Sequence, residues 1–164
     1  MVLSTGAALW FLPFVLPICL YVAFTDMSRM KIPNHAVIAL VAVYAVVGLI
    51  ALPFADYLWR YLALLIVLVA GIALNAGGLV GAGDAKFAAA AALFIPAGDL
   101  RMIMVIFSAT LIAAFLAHRL ARVTPLRRLA PGWESWDRGK DFPMGLALGG
   151  ALAFYLILGL VAGS

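Results

Sequence analysis

Gly81-Ala82-Gly83-Asp84-Ala85-Lys86-Phe87-Ala88-Ala89-Ala90-Ala91-Ala92-Leu93-Phe94-Ile95-Pro96 opens with two charges, runs apolar from Phe87 to Ile95 and stops at a proline. Whether it crosses a bilayer settles the number of spans. A spanning helix takes about 20 mostly apolar residues, and this one is short. Counted as a span it is the fourth of six, at 5–24, 36–53, 61–80, 85–96, 102–117 and 142–162. The basic residues favour counting it. With six spans, the segments after the first, third and fifth share one side and hold Arg29, Lys31, Lys86, Arg119, Arg122, Arg127, Arg128, Arg138 and Lys140. Only Arg60 and Arg101 lie opposite. Lys and Arg accumulate on the cytoplasmic side, so the 118–141 loop is expected inside the cell and both termini outside the cytoplasm. Without the fourth span the later charges change sides and the asymmetry decays.

Composition agrees. Of 164 residues, 67% are apolar or aromatic and 11% are charged, with a mean hydropathy of +1.17; a soluble domain has roughly 45–50% and 25%. The expected class is an all-α polytopic membrane protein with six transmembrane helices, forming a single integral-membrane domain over 1–164. The net charge of +4 then reads as topology and not as affinity for nucleic acid. One cysteine, Cys19, provides neither a disulfide framework nor a thiolate cluster for zinc. No Lys or Arg precedes Asp26, and the first apolar run is too long for a signal peptide, so it is expected to remain as an anchor. Tyr57, Trp59 and Tyr61 fit an outer aromatic belt, and Trp133 and Trp136 an inner one. The Ala88 to Ala92 run, and Gly145 with Gly149, read as small-residue packing surfaces.

Polar groups are few enough to enumerate. The only histidines are His35 and His118, and neither sits in the His-Glu-x-x-His spacing of a zinc protease. Ser108 is ten residues from His118, too far along a helix for a nucleophile and its base. No phosphate-binding Gly-x-x-x-x-Gly-Lys loop occurs. Carboxylate chemistry remains: Asp26 ends the first span and Asp84 begins the fourth, on the same side. If those helices adjoin, the two carboxyls share a site and a proton, because two like charges at close range do not both ionise cheaply. One is then a base for water and the other an acid for a scissile carbonyl, and the pair titrates as a unit. Gly81 and Gly83 are expected to supply backbone angles closed to other residues and a close approach for another chain. Asp84 to Pro96 makes roughly 20 Å of helix against a hydrocarbon core of about 30 Å, which recesses Asp84 into a water-accessible cavity.

A plainer reading stands beside this one, in which charges at span ends mark topology or snorkel. Asp84 and Lys86 then form an interfacial pair, and Arg29 and Lys31 are anchors. Asn75 makes an interhelical hydrogen bond, His35 caps or solvates the start of the second span, and Asp56 and Asp99 are outer loop residues.

The residues resemble those of the type IV prepilin peptidases, which belong with the GxGD aspartic membrane proteases. The resemblance is carried by Gly81-Ala82-Gly83-Asp84-Ala85-Lys86, by Asp26 followed after five residues by Ile32-Pro33-Asn34, and by Phe142-Pro143-Met144-Gly145 opening the last span. It runs from about residue 10 to 160. It implies a GxGD aspartic protease-like fold with Asp26 and Asp84 as the catalytic pair and Lys86 as the basic residue after the second aspartate. Gly81, Gly83, Arg29, Pro33, Asn34, Pro143 and Gly145 would be supporting or substrate-binding residues. Members of that family cut a short basic leader from prepilins at the cytoplasmic membrane face, just before the substrate's hydrophobic helix. Bifunctional members also N-methylate the new terminus with a further cytoplasmic portion that carries a four-cysteine zinc-binding element. With one cysteine, this chain is similar to the short, peptidase-only type associated with Flp or tight-adherence pili.

The resemblance implies no metal or organic cofactor. The implied partners are a prepilin or pseudopilin and the lipid bilayer, with no nucleic acid, and the implied location is the bacterial inner membrane. The basic Arg119 to Lys140 loop is expected to lie on anionic headgroups, with Trp133 and Trp136 dipping into the interface and Glu134, Asp137 and Asp141 touching the leader. Two other readings remain: a non-catalytic assembly subunit of a pilus or secretion machine, and a small transporter. A transporter lacks support from any inverted repeat, and Asn75 is the one polar residue near mid-span.

Overall fold

Long apolar runs must satisfy their own backbone groups, which in lipid only helices or closed barrels achieve. The structure, a computed structural model, describes residues 1–139 and 141–163. Lys140, one of the nine basic residues counted on one side, lies outside the described residues, as does Ser164. Among the described residues there are six α-helices and no strand: α1 (Thr5–Arg29), α2 (Asn34–Ala51), α3 (Phe54–Ala76), α4 (Ala82–Ala92), α5 (Leu100–Val123) and α6 (Met144–Ala162). Five are long and apolar enough to cross a membrane, α5 together with the 3-10 turn Ala97–Asp99 before it. The chain is an all-helical, multi-pass membrane protein.

α1 packs most extensively against α6 and also against α2; α4 lies among α3, α2 and α6, and α5 packs chiefly on α6. Small residues set the separations. A Cβ on Gly149 of α6 would lie 2.8 Å from the Cys19 carbonyl oxygen of α1, and one on Gly71 of α3 would lie 2.8 Å from the Ala85 Cβ of α4. Glycine at such points lets backbones approach closely enough for dispersion contacts to hold helices together where no hydrophobic effect acts between them. The alanine run of α4 is used in the same way, with Ala89 to Ala92 buried.

α4 has eleven residues, about 16 Å of helix, so its final carbonyls fall inside the bundle and need donors. Arg60 of α3 provides them, its guanidinium donating to Leu93 O at 3.5 Å and Phe94 O at 3.2 Å. Arg60 is thus buried and caps a helix, which is more than marking a side of the membrane. Asp99 likewise departs from the outer-loop expectation. It is buried and accepts hydrogen bonds from the Val2 and Leu3 amides and the Tyr155 hydroxyl. Asp56 is exposed, in the first turn of α3.

Three further expectations change. Tyr57 is no belt residue: it is buried and stacked on Tyr44, and its hydroxyl donates to Ala45 O, whereas Trp59 is exposed. Asn75 makes a local bond to Val80 O at 2.8 Å, closing the α3–α4 turn and bridging no helices. Trp136 does not dip outward. It is buried, stacked on His118, and donates to Ala130 O. Glu134 and Asp137 are already paired with Arg138 and Arg127.

Candidate active site

α1 stays helical past residue 24, so Asp26 projects from its last turns. Met30 caps the helix in the left-handed conformation, φ 51° and ψ 39°, its amide donating to the Asp26 carbonyl at 2.9 Å. Such a cap ends a helix and redirects the chain. Here it turns Ile32-Pro33-Asn34 back toward the start of α4, where the Ile32 Cβ lies 3.2 Å from where a Cβ on Gly83 would be. Pro33, fixed in φ and extended, is the N-cap of α2. The ends of α1, α2 and α4 thereby enclose one cavity of about 500 Å³, and Asp26 and Asp84 both line it.

Asp26 is 6% exposed. Its Oδ2 accepts the Gly145 amide at 2.6 Å, which ties the first turn of α6 to the end of α1. Glycine is required there because a Cβ would sit 2.9 Å from the Asp26 Cβ.

Asp84 lies in the first turn of α4, where the unpaired amides of the helix start favour a carboxylate. Its side chain folds back over Gly81, whose backbone amide bonds to it, and a Cβ on Gly81 would lie 2.6 Å from Oδ2. Against that bond, burial and then the charge of Asp26 push Asp84 up to about 6. The two glycines work through the Cβ they lack, not through unusual backbone angles. Gly81 has φ −64°, Gly83 is helical, and the described glycines with positive φ are Gly78 and Gly139.

Arg29, Pro33, Asn34, Gly81 and Gly83 line the same cavity. Lys86 does not pair with Asp84, which removes the interfacial-pair reading; its Nζ donates to Asn34 Oδ1 at 3.2 Å and so ties α4 to α2. Pro143 is the N-cap of α6, two residues before Gly145. Tyr21, Thr25, Lys31 and His35 line the cavity as well. Of these, Tyr21 and His35 had no motif to announce them. His35 does not cap α2; its Nε2 meets the Tyr21 hydroxyl at 2.9 Å across α1 and α2.

Two carboxyls on one cavity, one of them pushed up to about 6, can present a proton donor and a proton acceptor together. No curated protein and no solved structure matches the chain. The model of the type IV leader peptidase family matches residues 13–118, well over half of the sequence and inclusive of Asp26 and Asp84. The chain belongs to the type IV leader peptidase family and is a peptidase, a hydrolase built as a multi-pass membrane protein.

Proposed function

We propose that this peptidase is an aspartic endopeptidase of the GxGD type, in which Asp26 and Asp84 act on one water. Asp26 takes a proton from the water as its oxygen attacks the scissile carbonyl, and Asp84 gives a proton to the carbonyl oxygen. Collapse of the resulting diol breaks the C–N bond, with the proton held by Asp26 passing to the leaving amine, and Asp84 recovers its own proton. The observation that carries this reading is the shared cavity in which Asp84 is raised to about 6 by burial and by Asp26. The raised value keeps the proton on Asp84 to higher pH, as the proton donor requires. Asp26 already accepts the Gly145 amide on one oxygen, which orients the other toward the water.

The substrate in this reading is a Flp-type prepilin or pseudopilin, whose short basic leader is removed at the cytoplasmic face of the bacterial inner membrane without N-methylation. The single domain spans residues 1–164, with both termini outside the cytoplasm. Its Asp26 end faces inward, where nine of the eleven basic residues are counted. Purified peptidase in vesicles, given a Flp-type prepilin and a chelator, is expected to release the leader at a single bond found by mass spectrometry. Loss of cleavage in chelator, or a cut within the hydrophobic helix, would refute the reading.

A further inference from the structure

His118, near the end of α5, is 2% exposed, yet neither ring nitrogen has a hydrogen-bond partner among the described residues. Most buried polar groups are hydrogen-bonded, so this imidazole serves through its ring plane. It lies flat on Trp136, centroids 5.1 Å apart and planes 12° apart, and meets Phe142 near edge-on at 5.8 Å. Phe115, one turn earlier on α5, meets Phe142 at 5.7 Å. The segment between is fastened to the same helix: Arg119 and Arg122 both donate to Gly139 O, at 2.8 and 2.9 Å.

Phe142 stands three residues before Gly145. Few soft torsions separate them, since Pro143 has a fixed φ and Met144 is already helical. Where Phe142 is held, the Gly145 amide is held on Asp26 Oδ2 at 2.6 Å.

We propose that His118 is a positioning residue: with Phe115 it grips Phe142 and so keeps the Gly145 amide on Asp26. This rests on the reading of Asp26 as catalytic, and the test keeps the two apart. The imidazole acts here as an aromatic plate, so His118→Phe should preserve the grip and His118→Ala should release it.

The experiment is amide hydrogen exchange over residues 142–148, read by mass spectrometry, together with kcat and KM for prepilin cleavage, in wild type, His118→Ala and His118→Phe. Exchange over α2 serves as the check that each variant is folded. In His118→Ala, Gly145 exchange should accelerate and kcat should fall about 10- to 100-fold with KM nearly unchanged, the scale expected for a misplaced reacting group. His118→Phe should restore both. Unchanged exchange in His118→Ala overturns the grip. Faster exchange with full kcat overturns the link to catalysis while leaving the contact in place, and Asp26→Asn activity then reports separately on Asp26.

Discussion

The Gly145 amide donates to Asp26 Oδ2 across 2.6 Å, a bond between residues 119 positions apart in sequence. It fixes one oxygen of a buried carboxyl and joins α6 to α1 at the cavity. Gly145→Ala would place a methyl 2.9 Å from the Asp26 Cβ and 3.0 Å from Oδ2, so the carboxyl must turn or α6 must withdraw. Prepilin cleavage by this variant is expected to drop about 10- to 100-fold in kcat. Steady-state kinetics in vesicles check it, and wild-type kcat would show that this bond does not set the geometry.

Asp84, pushed up to about 6 by burial and by Asp26, sets the direction of the pH response. As the acid it must carry its proton, so kcat/KM should fall as pH rises through about 6, approaching about tenfold per unit well above it. Initial rates from pH 5 to 8, on the order of one measurement per half unit, suffice. A rate that rises over this range would reverse the assigned roles.

Arg60 caps α4 through Leu93 O and Phe94 O. Arg60→Ala removes these donors from the carbonyls of buried Leu93 and Phe94, a loss of about 2–4 kcal/mol. Thermal unfolding in detergent should show a clear drop in Tm, and Arg101→Ala, on the exposed start of α5, should not. Equal Tm values for the two would mean that the carbonyls are satisfied by other means.

Adjacent glycines on α6 provide an internal control. A methyl on Gly149 meets the Cys19 carbonyl oxygen at 2.8 Å, whereas one on Gly150 meets nothing within 4 Å. Gly149→Ala is expected to destabilise by about 1–3 kcal/mol through overpacking, and Gly150→Ala to be neutral or slightly stabilising. Unfolding curves for the two variants check the α1–α6 contact.

The all-helical, multi-pass class was legible, and Asp26 and Asp84 stood out as candidates, because lipid excludes charge so strongly that the few polar residues are seen singly; the short 85–96 run, counted as a span, is the eleven-residue α4, which is not among the five helices long enough to cross. The same exclusion hid the packing. Core-facing and lipid-facing positions are both apolar, so nothing distinguished buried Tyr57 from exposed Trp59. Charges were legible as positions but not as partners. Arg60 counted as a topology marker yet caps α4, Asp99 passed as a loop residue yet binds two amides and Tyr155, and Lys86 reaches Asn34 across 52 positions rather than nearby Asp84. Such bonds depend on which helices adjoin, and periodicity in an all-apolar helix does not encode that. Gly81 and Gly83 were expected to bend the backbone and instead make room for the Asp84 carboxyl and Ile32.

In the proposed mechanism Asp26 and Asp84 carry out the hydrolysis together. Co-expression of a Flp-type prepilin with wild type, Asp26→Asn or Asp84→Asn, read as a mobility shift with the peptidase level measured in each membrane, tests it directly. Wild type should yield the processed pilin, and either variant only the precursor. Processing by either variant at the wild-type rate would contradict that mechanism.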